Sequence, residues 1–153
     1  MGLKVGDKVP QFTVKDDQGN DFDSNSIIGV KPVVIYFYPK NFTPGCTKEA
    51  CDFRDSYADF KDLGAEVIGI SSDSIKSHTR FKNKYRLPFL FLSDHKNTLR
   101  KLFGVKAELL GLLPGRETFV IDKDGVVQLK FNSLNASKHL GKAIAKVKEL
   151  AAV

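Results

Sequence analysis

The chain has 153 residues, 42% hydrophobic and 27% charged, with a formal net charge of +6; this length and balance predict one globular domain, 1–153, and exclude a disordered or fibrous chain. The lysines are interleaved with acids, as in KDDQGND and RFKNKYR, and no dense basic run occurs, so the charge reads as a solvated surface with no nucleic-acid partner. The start MGLKVGDKVPQF has no apolar signal core, and apolar runs such as PVVIYFYP are too short to span a bilayer; the expectation is no membrane association and a cytoplasmic location, or an organelle if a transit peptide has been removed.

PQFTVKDDQGNDFD carries two short alternating stretches around Asp-Gln-Gly-Asn, which predicts a β-hairpin. KPVVIYFYP is a continuous β-branched and aromatic run bounded by prolines, the pattern of a strand buried on both faces. After Cys46 the period changes: Ala50, Phe53, Tyr57, Phe60 and Leu63 recur every three or four residues, predicting one amphipathic helix that ends near Gly64.

EVIGISS is a second central strand, SDSIKSHTRFKNKYR a helix capped by Ser or Asp, and PFLFLSD a third strand. NTLRKLFGV is a short helix closed by Gly104, and ELLGLLPGR a loop. ETFVIDKDGVVQLKFN is a hairpin around Lys-Asp-Gly. ASKHLGKAIAKVKEL is a terminal helix with Ala136, Leu140, Ile144, Val147 and Leu150 as its apolar stripe. The order βββαβαβαββα predicts a three-layer α/β domain with a mixed central sheet, on the thioredoxin-like plan.

The chain has two cysteines, Cys46 and Cys51, and three histidines, His78, His95 and His139. That is too few cysteines for a disulfide scaffold, and no Cys or His pair has zinc spacing, so no zinc site is expected and the histidines read as surface or hydrogen-bonded structural residues. Thr43-Pro44-Gly45-Cys46 has the composition of a helix start. With Thr43 as N-cap and Pro44 at the first helical position, Cys46 falls at the third, among free N–H groups and the positive end of the helix dipole. That setting favours thiolate over thiol. Taken alone, Cys46 reads better as a small buried apolar residue; its delivery by a Pro-Gly turn straight off a buried strand raises the case for a reactive site.

Cys51 follows at C-x-x-x-x-C spacing. On an intact helix, residues five apart are rotated by about 140° and separated by roughly 7.5 Å of rise, which puts their Cα atoms about 8 to 9 Å apart. A disulfide requires less than roughly 7 Å. The two sulfurs therefore cannot pair without strain while the helix persists. A third candidate, Arg116, stands at the head of a predicted strand in LPGRETFVID; if that strand neighbours VVIYFY, its guanidinium comes over Cys46, and otherwise it is an ordinary exposed arginine. LPFLFL, Phe42 and LLGLLPG read as core and loop packing in preference to an apolar substrate approach.

These residues resemble a known family. PKNFTPGC, Pro39 to Cys46, fits the P-x-x-x-T-x-x-C motif of peroxiredoxins, and the Cys46–Cys51 offset with LPGRETFVID resembles the peroxiredoxin Q, or bacterioferritin comigratory protein, subfamily. The resemblance spans nearly the whole chain. It implies a thiol peroxidase reducing hydrogen peroxide and organic hydroperoxides. Cys46 would attack the peroxide and become a sulfenic acid. Thr43 would hydrogen-bond the thiolate and peroxide, Pro39 would shield the pocket, and Arg116, oriented by Glu49, would activate Cys46 and bind the peroxide oxygens. Cys51 would resolve the sulfenic acid as an intramolecular disulfide, and a thioredoxin-type dithiol would restore both thiols. It implies no metal, haem or flavin and, for this subfamily, a monomer. Two rivals are a disulfide reductase, which would require C-x-x-C, and a non-enzymatic thioredoxin-fold module with vestigial cysteines, against which the Pro39, Thr43, Cys46, Arg116 set argues.

Overall fold

The computed structural model describes residues 2–106 and 115–152. The expected ELLGLLPGR loop falls mostly outside them. Seven strands form one sheet in the order β2-β1-β5-β4-β3-β6-β7. They are β1 (Thr13–Asp16), β2 (Asp21–Asp23), β3 (Val33–Phe37), β4 (Glu66–Ser71), β5 (Leu90–Ser93), β6 (Glu117–Ile121) and β7 (Val127–Asn132). The chain runs from β3 to β4 to β5 in parallel, which requires crossover helices, and these are supplied by α1 (Pro44–Asp55), α2 (Tyr57–Asp62) and α3 (Ile75–Tyr85). The remaining pairings are antiparallel, made by the two predicted hairpins, β1–β2 and β6–β7, and by their docking onto the parallel centre. Helices α4 (Thr98–Phe103) and α5 (His139–Ala151) complete the layers.

The period of two along β3 divides the core. Val33, Ile35 and Phe37 face one side with Leu99 and Phe103 of α4 and Phe12 and Phe22 of the N-terminal segment. Val34, Tyr36 and Tyr38 face the other with Ala50 and Phe53 of α1, Phe60 of α2, Phe81 of α3 and Val147 of α5. Every residue of β3 is buried, as the unbroken apolar run predicted. Tyr36 and Phe53 stack at 4.7 Å between centroids with their planes 14° apart, which fastens α1 to the strand that delivers it. Phe53→Ala is expected to cost roughly 3–5 kcal/mol of stability, read as a lowered urea midpoint with unchanged slope.

Two expected helices differ in detail. The predicted helix from Thr43 to Gly64 is broken at Ser56, whose φ and ψ are −104° and 5°. Its N–H still reaches the Asp52 carbonyl and its own carbonyl accepts from Phe60. The break lets α2 restart at Tyr57, whose hydroxyl donates to Glu66 at the start of β4. Serine, a weak helix former, favours such a break. The terminal helix begins as a 3-10 turn, Ala136–Lys138, before α5. Its fully buried line is His139, Ala143 and Val147, while Leu140, Ile144 and Leu150 are only partly buried. Small Ala143 lets the helix settle onto the sheet with His139 turned inward.

Candidate active site

The end of β3 and the start of β6 lie side by side, with Phe37 paired to Glu117 at the last rung of their antiparallel ladder. One strand leads into Tyr38, Pro39 and the turn to α1; the other is entered through Gly115 and Arg116. Two halves of the chain seventy residues apart thereby meet over one helix N-terminus.

At that terminus Thr43 is the N-cap in extended conformation, Pro44 occupies the first helical position and Cys46 the third. The first intrahelical bond runs from Thr47 N–H to the Thr43 carbonyl at 2.9 Å. The Cys46 N–H thus lies ahead of the helical ladder, among the free donors of the first turn. The Thr43 side chain does not cap, contrary to expectation. Its Oγ1 donates to the Lys40 carbonyl at 2.8 Å, closing the turn that precedes the helix. With its proton committed there, that oxygen presents lone pairs only.

Cys46 is buried, with 1% of its surface exposed. Arg116 Nη2 lies 3.4 Å from its Sγ, and Nη1 donates to Glu49 Oε1 at 2.6 Å. The guanidinium therefore uses its fixed fork to hold a sulfur and a carboxylate at once. Gly45 leaves room for this approach: a Cβ there would stand 3.2 Å from Arg116 Nη2, close enough to press the guanidinium aside by a few tenths of an ångström. Burial penalises the Arg116 charge, but Glu49 and then Cys46 outweigh it and push its pKa up. At Glu49 burial wins against the pull of Arg116 and pushes the carboxyl up to about 8. Pro39, half-buried, follows β3 after Tyr38, and Cys51, half-buried, sits further along the same unbroken helix as Cys46; both thiols are free.

The structure adds His139 and Thr118, which the sequence did not assign to this cluster. His139 Nε2 is 2.7 Å from the Ser133 carbonyl, so it carries the proton, and Nδ1 then accepts from Thr118 Oγ1 at 2.7 Å. Burial pushes His139 down to about 4, helped by Arg116, in keeping with a neutral ring. That Nδ1 stands 3.6 Å from Glu49 Oε2, which has no hydrogen-bond partner. The signal available in the sequence was a histidine four residues before Ala143 and eight before Val147, on the line that turns inward. His78 is also buried, but in a separate network with Tyr38 and Asn41; His95 is exposed. Among the described residues no group of three or more His, Cys, Asp or Glu is arranged to hold a metal ion. Leu87, Phe89, Phe91 and Leu92 are core residues, as expected, and Phe42 packs edge-on against Phe81.

The raised Glu49 value carries a signed consequence. A carboxyl that holds its proton more tightly folded than unfolded contributes its stability at pH below the unfolded value of 4.5, and loses it as pH rises toward 8. Glu49→Gln removes that dependence. The difference in melting temperature, Gln variant minus wild type, is expected to grow between pH 5 and 8 and then level off. A difference constant over this range would mean that the Arg116 pair keeps Glu49 ionised throughout.

The geometry is that of a buried, electropositive thiol with a second thiol held out of reach. Residues 5–130 match the AhpC/TSA family. The chain is 52% identical over 146 residues to a chloroplastic peroxiredoxin Q of Sedum lineare, covering 95% of this chain and 78% of that protein. Among solved structures it is similar to peroxidoxin BcpB of Mycobacterium tuberculosis, with a TM-score of 0.88 and 38% identity over 97% of this chain and 98% of that one. It is also similar to the Xanthomonas campestris bacterioferritin comigratory protein, studied for its alkyl peroxide reduction activity, with a TM-score of 0.86 and 29% identity over 97% of this chain and 98% of that one.

Proposed function

The chain belongs to the AhpC/TSA family, as a thiol-dependent peroxidase of the peroxiredoxin Q kind, and from that premise we propose that Cys46 is its peroxide-reacting residue and Cys51 its resolving partner. The observation that carries this reading is the Arg116 fork, which reaches Cys46 Sγ and Glu49 together at the first turn of α1. In the first step the Cys46 thiolate attacks one peroxide oxygen. An S–O bond forms, the O–O bond breaks, and the leaving oxygen takes a proton and departs as water or an alcohol. Arg116 stabilises the charge that moves from sulfur to the leaving oxygen. Thr43 Oγ1, whose proton goes to the Lys40 carbonyl, is an acceptor here: it takes a hydrogen bond from the peroxide O–H, and in this arrangement it does not donate to the thiolate as the resemblance implied. Pro39 walls the turn.

Cys46 is left as a sulfenic acid. The Cys51 sulfur displaces its hydroxyl as water, and the S–S bond forms. A dithiol, for which we propose thioredoxin, returns both cysteines to thiols by exchange and leaves as a disulfide. We read the chain as a single domain, 1–153, acting as a monomer. The one sheet that includes both terminal hairpins supports the first point. For the second, the exposed large apolar residues among those described, Val5, Val30, Phe42 and Leu134, sit at four separate points of the chain. Of the two locations expected from the sequence, cytoplasm or organelle, the chloroplastic relatives favour the organelle.

Because α1 is unbroken from Pro44 to Asp55 with both thiols free, closing the disulfide requires its first turns to unwind. One equivalent of hydrogen peroxide should produce a loss of two mass units and a Cys46–Cys51 cross-linked peptide, with loss of amide protection confined to the start of α1. A disulfide formed with α1 protection unchanged would refute the unwinding; retention of both free thiols would refute the peroxidase assignment of Cys46.

A further inference from the structure

We propose that Arg100 is a positioning residue for this peroxidase site, acting as a clamp that fixes where Arg116 stands over the Cys46 sulfur. The ladder between β3 and β6 ends at Phe37 and Glu117. Immediately beyond it, Tyr38 and Gly115 lead into Pro39 on one side and Arg116 on the other, and no strand rung joins them. Arg100 supplies the missing rung from outside the sheet. Its Nη1 donates to the Gly115 carbonyl at 2.9 Å and its Nη2 to the Tyr38 carbonyl at 3.0 Å. Two charge-assisted bonds from one planar fork set the separation of those carbonyls, which a single-point ammonium cannot do.

The clamp is itself held. The Leu99 and Arg100 N–H groups both donate to the Asp94 carboxylate at 2.9 Å, which pins the start of α4. The guanidinium also lies 5.8 Å from the Phe37 ring centroid, within cation–π range. Burial works against its charge, while Asp94, Cys46 and Glu117 favour it, so the Arg100 cation also belongs to the field at the sulfur. The other titratable groups in that field are Arg116 from the head of β6, Glu49 from α1 itself, and Tyr36 and Tyr38 from β3 and its end.

This inference rests on the peroxidase reading, and Cys46→Ser run in the same assay tests that reading separately. The experiment is rapid mixing of reduced protein with hydrogen peroxide across pH, with thiolate absorbance titrated in parallel, for wild type, Arg100→Met and Arg100→Lys. Arg100→Met is expected to slow Cys46 oxidation by roughly 10- to 100-fold, the scale of a misplacement of about 1 Å, and to move the rate profile to higher pH. Arg100→Lys, which keeps the charge and loses the fork, should restore the pH profile but only part of the rate. A folded Arg100→Met protein with the wild-type rate and profile overturns the proposal. If Arg100→Met does not fold, an Arg100→Lys protein reacting at the wild-type rate overturns it alone. A lower melting temperature in either variant with rate and pH profile unchanged assigns Arg100 to stability only, which also overturns it.

Discussion

Cys46→Ser is expected to reduce peroxide consumption to the uncatalysed background, and Cys51→Ser to leave one rapid round of oxidation while removing thioredoxin-dependent recycling. The asymmetry follows from where each sulfur sits. Cys46 is 1% exposed, at the third position of α1, with Arg116 Nη2 at 3.4 Å. A serine there fits sterically, but a hydroxyl does not ionise near neutral pH and oxygen is a poorer nucleophile toward peroxide than sulfur, so the site keeps its shape and loses its reagent. Arg116 spends its fork on Cys46 and Glu49, and Cys51 lies five residues along the same helix, beyond disulfide reach. Its replacement leaves the first step intact and strands Cys46 as the sulfenic acid, visible as a gain of sixteen mass units. Hydrogen peroxide consumption with thioredoxin and its reductase, paired with single-turnover stopped flow, separates the two steps. Turnover at the wild-type level in Cys46→Ser would sink the assignment altogether. Undiminished thioredoxin-dependent turnover in Cys51→Ser would remove only its resolving role, since an external thiol would then be doing that work.

The parts of this molecule legible in the sequence are those fixed by short-range chemistry. β3 reads as a central strand because five consecutive large apolar residues have to be covered on both faces, and Thr-Pro-Gly-Cys reads as a helix start because proline and the N-cap restrict the backbone locally. Arg116 was legible as a candidate, but its position over Cys46 depended on β6 pairing with β3, a contact between distant segments that only the folded sheet supplies. His139 was harder. Its i, i+4, i+8 line with Ala143 and Val147 was the available mark, but the larger apolar residues Leu140, Ile144 and Leu150 pointed to a neighbouring stripe, and the buried line proved to be that of His139, Ala143 and Val147. Thr43 shows the opposite failure. Its residue type predicts a side-chain cap made by the oxygen's lone pairs, but the hydroxyl is turned back onto the preceding loop, where it donates to the Lys40 carbonyl, and no first-turn N–H reaches it; that orientation is settled by loop geometry. Arg100 was read only as part of a short helix, because its role lies in two backbone carbonyls that no sequence pattern displays.

Arg116→Met is expected to lower the second-order rate constant of Cys46 oxidation by roughly 10²- to 10³-fold, the scale of losing one preorganised donor aimed at developing charge. The side chain gives two bonds from one fork, and removing it affects activity and stability through different partners. Losing the bond to Cys46 Sγ withdraws a fixed positive charge from both thiolate and leaving oxygen. Losing the bond to Glu49 Oε1 leaves a fully buried carboxyl whose other oxygen already has no partner. Breaking a buried pair from one side commonly costs about 3–5 kcal/mol, because the surviving charge is stranded. Here the cost should be smaller near neutral pH, since burial already pushes Glu49 up to about 8 and the carboxyl can shed its charge by taking a proton. The double variant Arg116→Met/Glu49→Gln separates the two effects. It should recover most of the stability lost in Arg116→Met, because no carboxyl remains to be ionised, and none of the rate, because nothing cationic has returned to the sulfur at 3.4 Å. Recovery of rate together with stability would mean that Arg116 acts only by holding the fold of the site, and the electrostatic account of Cys46 would have to be abandoned.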